Sequence, residues 1–184
     1  MIAAEHRLVG RGHAEQLLPM IAALPAGGRA GDILVDCGPG SFTGIRVGIA
    51  AARALGLAWG TPVRGYSSLA LLAARAFADA PGRAEIAVVL EGGHGEVFMQ
   101  SFTAAPFAES GPLASLPPAA ALASLAGRYA IGSGVRWLRP LAPDLEGDEA
   151  LPEAADSRLL PAPFTALPPR PLYGRPPDAK PAAA

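Results

Sequence analysis

A single cysteine, Cys37, stands in the 184 residues of this chain. An internal disulfide is therefore excluded, and the usage fits a reducing, cytoplasmic compartment. No apolar run reaches the roughly 18 residues of a membrane-spanning helix. The opening stretch, MIAAEHRLVGRGH, lacks a signal-peptide pattern, because His6 and Arg7 interrupt an apolar run that is already too short. Net charge is only −1 and no Lys/Arg cluster stands out. Direct RNA binding, which needs a basic face for the phosphates, is disfavoured. Histidine is limited to His6, His13 and His94, with no H-x-x-x-H pair, so no metal-ligand spacing is present. Proline is sparse early, with five of twenty before residue 100 and fifteen after it. The first half thus reads as compact α/β and the segment 161–184 as mostly extended.

What is present is a 51% hydrophobic composition, enough to fill a core, and an alternation of short apolar runs with helical periods. Leu17, Met20, Ile21 and Leu24 recur at helical spacing and predict a helix over 13–24, with Leu18 beside them. That apolar face is wide enough to be buried on two sides, and Pro19 should kink it. Residues 33–35 suit a buried parallel strand. A helix is predicted over 43–59, a strand over 62–66, and a helix from a Ser67 or Ser68 cap to residue 80. A hairpin follows over 86–90 and 96–102. After it come a helix from Pro118 to Gly127 and a strand over 129–131. The order implies α/β with a largely parallel sheet, made mixed by the hairpin.

The most specific stretch is GPGSFTGIRVG, Gly38 to Gly48. Strand, glycine loop and helix N-terminus together form an anion site, so Gly38, Gly40, Ser41 and Thr43 are candidate nucleotide or phosphate contacts. The stretch lacks both a Gly-Lys-Ser/Thr ending and a G-x-G-x-x-G spacing. The other reading is a tight turn with Ser41 or Thr43 as the helix cap, and local physics favours it.

Gly44, Gly48, Ala52, Gly56 and Gly60 recur every four residues. A mid-helix glycine costs about 1 kcal/mol relative to alanine, so a close backbone neighbour is expected on that strip. The neighbour is either the chain's own sheet or another subunit. Arg46 and Arg53, seven apart, would rim such a contact. No catalyst emerges beside it. His13 and Glu15 read as cap or interface residues. Asp32 and Asp36 lie about 13 Å apart along a strand, too far for a carboxylate dyad. Ser67 and Ser68 lack a nucleophile elbow, and Cys37 has no histidine near it in sequence. A protease reading has little support.

GRGHAEQLLPMI (Gly10–Ile21), GPGSFTGIRVG, the Tyr66–Leu69 segment, GEVF (Gly95–Phe98) and PLYGRPPDAK (Pro171–Lys180) together resemble the bacterial TsaB (YeaZ) family, in the same order from near residue 5 to about 180. The resemblance implies an actin-like (ASKHA, ribonuclease-H-like) fold with two lobes and mixed sheets. It implies a part in placing threonylcarbamoyl on the tRNA adenosine beside the anticodon, as a non-catalytic subunit. The paralogue TsaD carries the metal and the chemistry, the ATPase TsaE joins them, and tRNA is met only through the complex. The pairing surface implied is the first two helices. The partner-binding expectation is therefore His13, Leu17, Met20, Ile21, Leu24, Arg46, Gly48, Ile49, Ala52, Arg53 and Gly56, with self-association through the same helices. No cofactor of its own is expected, and ATP or ADP would sit at the interface. The competing reading is an ASKHA-type ATPase or phosphotransferase using Gly38–Thr43.

The lobes are expected as 1–80, with 155–184 packing back on it, and 81–154. Relatives begin with a strand hairpin of roughly 25–30 residues, about one supersecondary unit. Its absence here would leave residues 33–35 without their usual neighbours and expose a sheet edge. Glu91-Gly92-Gly93-His94 replaces the family's Asp-Ala-Arg-Arg-type turn, and Gly174 stands where an aliphatic residue is common.

Overall fold

A computed structural model describes residues 3–9 and 12–174. Gly10 and Arg11 of the first family segment, and residues 175–180 of the last, lie outside them, as does the rest of the tail expected to pack back.

The first helix, α1 (His13–Ala23), runs without interruption through Pro19. β1 (Ile33–Asp36) follows, then α2 (Phe42–Trp59), β2 (Val63–Tyr66) and α3 (Ser68–Asp79). The second half holds β3 (Glu85–Gly93), β4 (Glu96–Ala104), β5 (Phe107–Glu109), β6 (Ala114–Leu116), α4 (Pro118–Leu125), β7 (Tyr129–Ile131), α5 (Val135–Leu138) and β8 (Gly147–Asp148). Helix starts follow local chemistry. Ser41 Oγ accepts from Gly44 N at 3.2 Å, and Ser67 Oγ accepts from Leu69 N and Ala70 N. Gly60, at φ 64, ends α2 in the left-handed conformation that glycine tolerates.

The strands form two sheets rather than one. β1 and β2 pair in parallel, Ile33 opposite Val63 and Asp36 opposite Tyr66. The larger sheet has the order β5-β4-β3-β7-β8, with β6 also on β4. Its β3–β4, β4–β5 and β4–β6 pairs are antiparallel, and β3–β7 and β7–β8 are parallel. The larger sheet is mixed, as the 86–102 hairpin led one to expect, because the hairpin returns β4 antiparallel beside β3 while β7 joins in parallel on the other side.

Two cores flank the larger sheet, as the two-residue period of β3 requires. Ile86, Val88 and Leu90 face α3, with Tyr66 and Phe102 in the same cluster. Ala87 and Val89 face α4 and α5 with Val97, Leu125 and Leu138. Leu34 reaches the first of these cores, so α3 ties the small sheet to the large one. β1 is only half-buried along its length, in contrast to the buried strand expected. Its one strand neighbour among the described residues is β2, and that leaves its other edge unpaired.

The C-terminal strap, 167–174, crosses from one sheet to the other. Leu167 exchanges both backbone hydrogen bonds with Gly65, and Leu172 N donates to the Cys37 carbonyl at 2.8 Å. A Cβ on Gly174 would fall 2.4 Å from the Phe98 ring in β4. The glycine that departs from the family pattern is the residue that lets the strap lie on that ring.

Candidate partner-binding face

β1 delivers Asp36 to the turn that precedes α2. Ser68 Oγ donates to both carboxylate oxygens of Asp36 at 2.7 Å, and Gly38 N donates to Oδ1 at 2.8 Å. Burial raises the Asp36 carboxyl above its ordinary value, and those two donors only partly oppose the rise. Cys37 is fully buried, with its N–H on the Tyr66 carbonyl at 2.9 Å. Burial pushes its thiol up as well. The thiol is thus removed from thiolate chemistry, since a reactive cysteine needs the opposite shift.

These contacts decide what the glycine loop does. Gly38 sits at φ 91, and a Cβ there would come 2.5 Å from Ile45 Cδ1. Its N–H is held by Asp36 and its carbonyl accepts from Ser68 N at 2.9 Å. Gly38 is therefore withdrawn as a phosphate contact, because its donor already faces a carboxylate. Ser41 is the cap of α2. Gly40 and Thr43 are exposed beside it.

An acid whose folded pKa is raised stabilises the fold through its protonated form. That contribution is complete below the ordinary value of 3.8 and is lost as pH rises through the higher folded value. Asp36→Asn keeps an oxygen for Gly38 N–H and cannot ionise. We expect urea unfolding of this variant to be less pH-dependent than that of the wild type between 3.8 and neutrality. Parallel curves for the two proteins would show that Asp36 does not titrate differently on folding.

The glycine strip points inward. Ile49 and Ala52 are 4% and 6% exposed, and Gly56 is buried. A Cβ on Gly56 would lie 2.4 Å from Val63 Cγ2 and 2.9 Å from the Thr61 carbonyl. Gly48 faces Val35 Cγ2 at 3.9 Å. The expectation that Ile49, Ala52 and Gly56 meet a partner is corrected, because these three are buried within the chain, whereas Gly48 is half-covered with room left beside Val35. The reason is the crossover from β1 through α2 to β2, which lays the helix on its sheet along its narrowest side.

A different stripe of α2 faces solvent. Phe42, Arg46, Ala50, Arg53 and Leu57, at spacings of four, four, three and four, are all exposed. Phe42 is 62% and Leu57 87% exposed. α1 packs beside α2, and none of its residues is buried. Leu17, Met20, Ile21 and Leu24 are half-covered, and Leu18 is 52% exposed. His13 lies at the junction, its Nε2 buried without a hydrogen-bond partner and 3.9 Å from where a Gly44 Cβ would be. It is not a cap, since the cap position of α1 is Gly12. Arg46 and Arg53 are on the outer face, yet each holds the strap: Arg46 Nη2 donates to the Tyr173 hydroxyl at 2.9 Å, and Arg53 Nη2 to the Pro169 carbonyl. Sequence reasoning singled out the inward stripe and missed Phe42, Leu57 and Tyr173. Counting both stripes of α2 would have found the first two; nothing local would have found Tyr173.

Elsewhere, no group of three His, Cys, Asp or Glu side chains able to hold a metal occurs among the described residues. Nor is any helix among them long and apolar enough to cross a membrane.

The chain is similar to known proteins in sequence and in overall fold. A family model described as TsaD, tRNA N6-adenosine threonylcarbamoyltransferase, matches residues 6–106. An uncharacterized protein of Mycobacterium tuberculosis is 33% identical over 183 residues, covering 94% of this chain and 80% of that protein. The tRNA threonylcarbamoyladenosine biosynthesis protein TsaB of Escherichia coli is 31% identical over 108 residues, 55% of this chain and 46% of that protein. Among solved structures, YeaZ from Pseudomonas aeruginosa aligns with TM-score 0.70 at 29% identity, covering 88% of this chain and 84% of that one. A second, a protein with similarity to peptidase YeaZ from Pseudomonas aeruginosa, aligns with TM-score 0.71 at 29% identity, over 92% and 87% of the two chains.

Proposed function

Because this chain belongs to the threonylcarbamoyltransferase family as a member of its TsaB (YeaZ) branch, with the actin-like fold of that branch, we propose that it is the non-catalytic subunit that pairs with TsaD. The pair would act in the complex that installs threonylcarbamoyl on the tRNA adenosine next to the anticodon, with TsaE joining it. The supporting observation is the outer surface of α1 and α2. Leu18 and Leu57 stand in water there although the composition supplies ample core elsewhere. Large side chains exposed on adjoining helices mark an interaction surface. A specific interface buries about 1,200–2,000 Å² in total, more than two scattered leucines would provide. The half-covered Leu17, Met20 and Ile21 and the exposed Ala50 and Ala54 extend the apolar area.

Within this reading TsaD supplies the metal and the reacting groups, and this chain holds and orders it. Nucleotide, ATP or ADP, meets the chain only where a partner completes the site beside Gly40 and Thr43. The tied-up Gly38 N–H counts against a self-sufficient ATPase at this loop. tRNA is engaged through the complex, in keeping with the net charge of −1.

The test is calorimetric titration of this chain into TsaD from the same organism, alongside magnesium-ATP titrated into the isolated chain. A saturable complex and no turnover by the chain alone are expected. Separate elution of the two proteins at high concentration sinks the pairing. ATP hydrolysis by the isolated chain promotes the phosphotransferase reading instead.

A further inference from the structure

Two large aromatic side chains stand out of the surface at one end of α2, and both flank the same cation. Phe42 and Tyr173 are 62% and 58% exposed. The Arg46 guanidinium lies 3.5 Å from the Phe42 ring centroid and 5.7 Å from that of Tyr173, and it donates to the Tyr173 hydroxyl. Tyr173 is far away in sequence. The strap brings it there through the Gly65–Leu167 pairing, the Leu172 bond to Cys37 and the Arg53 bond to Pro169. Among the described residues no carboxylate meets Arg46 or Arg53. α2 carries these two arginines and no acid.

We propose that the strap is part of the docking face, and that Phe42, Arg46 and Tyr173 together clasp a carboxylate on the partner's docking segment. The inference rests on the reading that α1 and α2 carry the partner. The chemistry of the cluster selects the occupant. A guanidinium held between two rings keeps part of its donor fork free, which is the geometry that takes a carboxylate with two parallel hydrogen bonds. Tyrosine and arginine are enriched among residues that dominate binding energy, where surrounding apolar contacts exclude water. Ala50 and Leu57 continue the same stripe and supply those contacts. A second copy of this chain is a poorer fit, because its α2 would set Arg46 and Arg53 against like charges and its α1 offers a single acid, Glu15, to answer both. A different protein with an Asp or Glu on its docking helix satisfies the cluster.

The decisive measurement is titration into the TsaD subunit of wild type, Arg46→Ala, Tyr173→Ala and Leu57→Arg, each first shown by thermal melting to be folded. Arg46→Ala should weaken binding about 30-fold and Tyr173→Ala about 10-fold. Added salt should weaken the wild type more than Arg46→Ala, because the charged contact is screened only where it exists. Wild-type affinity in both cluster variants, with binding lost in Leu57→Arg, would leave the helix face standing and remove the strap from it. Unchanged binding in all three would overturn the helix face and the cluster together. A wild-type dimer in sedimentation that Arg46→Ala splits would make the occupant a second copy and end the carboxylate assignment.

Discussion

Replacing Leu57 with arginine is expected to abolish the proposed pairing with TsaD while leaving the chain as stable as before. Leu57 is 87% exposed, so in the free protein its side chain contributes almost nothing to the core. It lies in the last turn of α2, three residues before the Gly60 cap. A cation there complements the partial negative charge of the helix end, so the free protein loses nothing. In the complex the same side chain would be enclosed among apolar groups. An uncompensated buried charge costs about 3–5 kcal/mol, which corresponds to more than about 100-fold in affinity. Calorimetry or co-elution measures the loss, and a melting curve supplies the control. Tight binding by Leu57→Arg would mean that this stripe stays in water when the complex forms.

Two glycines on one helix should respond to alanine in opposite directions. Gly48→Ala gains about 1 kcal/mol of helix propensity, and its new methyl would meet only Val35 Cγ2 at 3.9 Å, an ordinary contact. For a chain of this length that raises the melting temperature by roughly 2–4 °C. Gly56→Ala gains the same propensity, but its methyl would fall 2.4 Å from Val63 and 2.9 Å from the Thr61 carbonyl. The backbone of the α2–β2 connection must then move, and overpacking of this kind costs about 1–3 kcal/mol. Part of that is offset by propensity, so we expect Gly56→Ala to melt a few degrees lower. Neither substitution touches the outer stripe, so neither should alter partner affinity. Equal melting temperatures in the two variants would show that the strip is not packed on β2 as described. A loss of binding in Gly48→Ala would return the inward strip to the interface.

How much was written in the local sequence can be judged from these same residues. Helical period fixed α1, α2 and α3 to within a residue or two, because a repeated i, i+4 apolar pattern has few other solutions. The caps were legible as one of two neighbours each, Ser41 or Thr43 and Ser67 or Ser68, since a hydroxyl just before an apolar helix has one common use, and the structure selects Ser41 and Ser67. The strand–loop–helix motif and the other family segments identified the branch, and the alignments agree. β5, β6, β8 and α5 went unread. Each has four residues or fewer, too short to show a period.

Composition and spacing by themselves determined that this protein is a mixed α/β chain built around the GPGSFTG turn, and that α2 must have a close neighbour. Only the tertiary structure decided which neighbour. The β1–α2–β2 crossover turned the glycines onto the chain's own sheet and left Phe42, Arg46 and Leu57 in water. The strap then carried Tyr173 across more than a hundred positions to Arg46. Periodicity records that a helix has two sides, but the side that faces inward is set by the path of the chain, and long-range contacts leave no mark on local spacing.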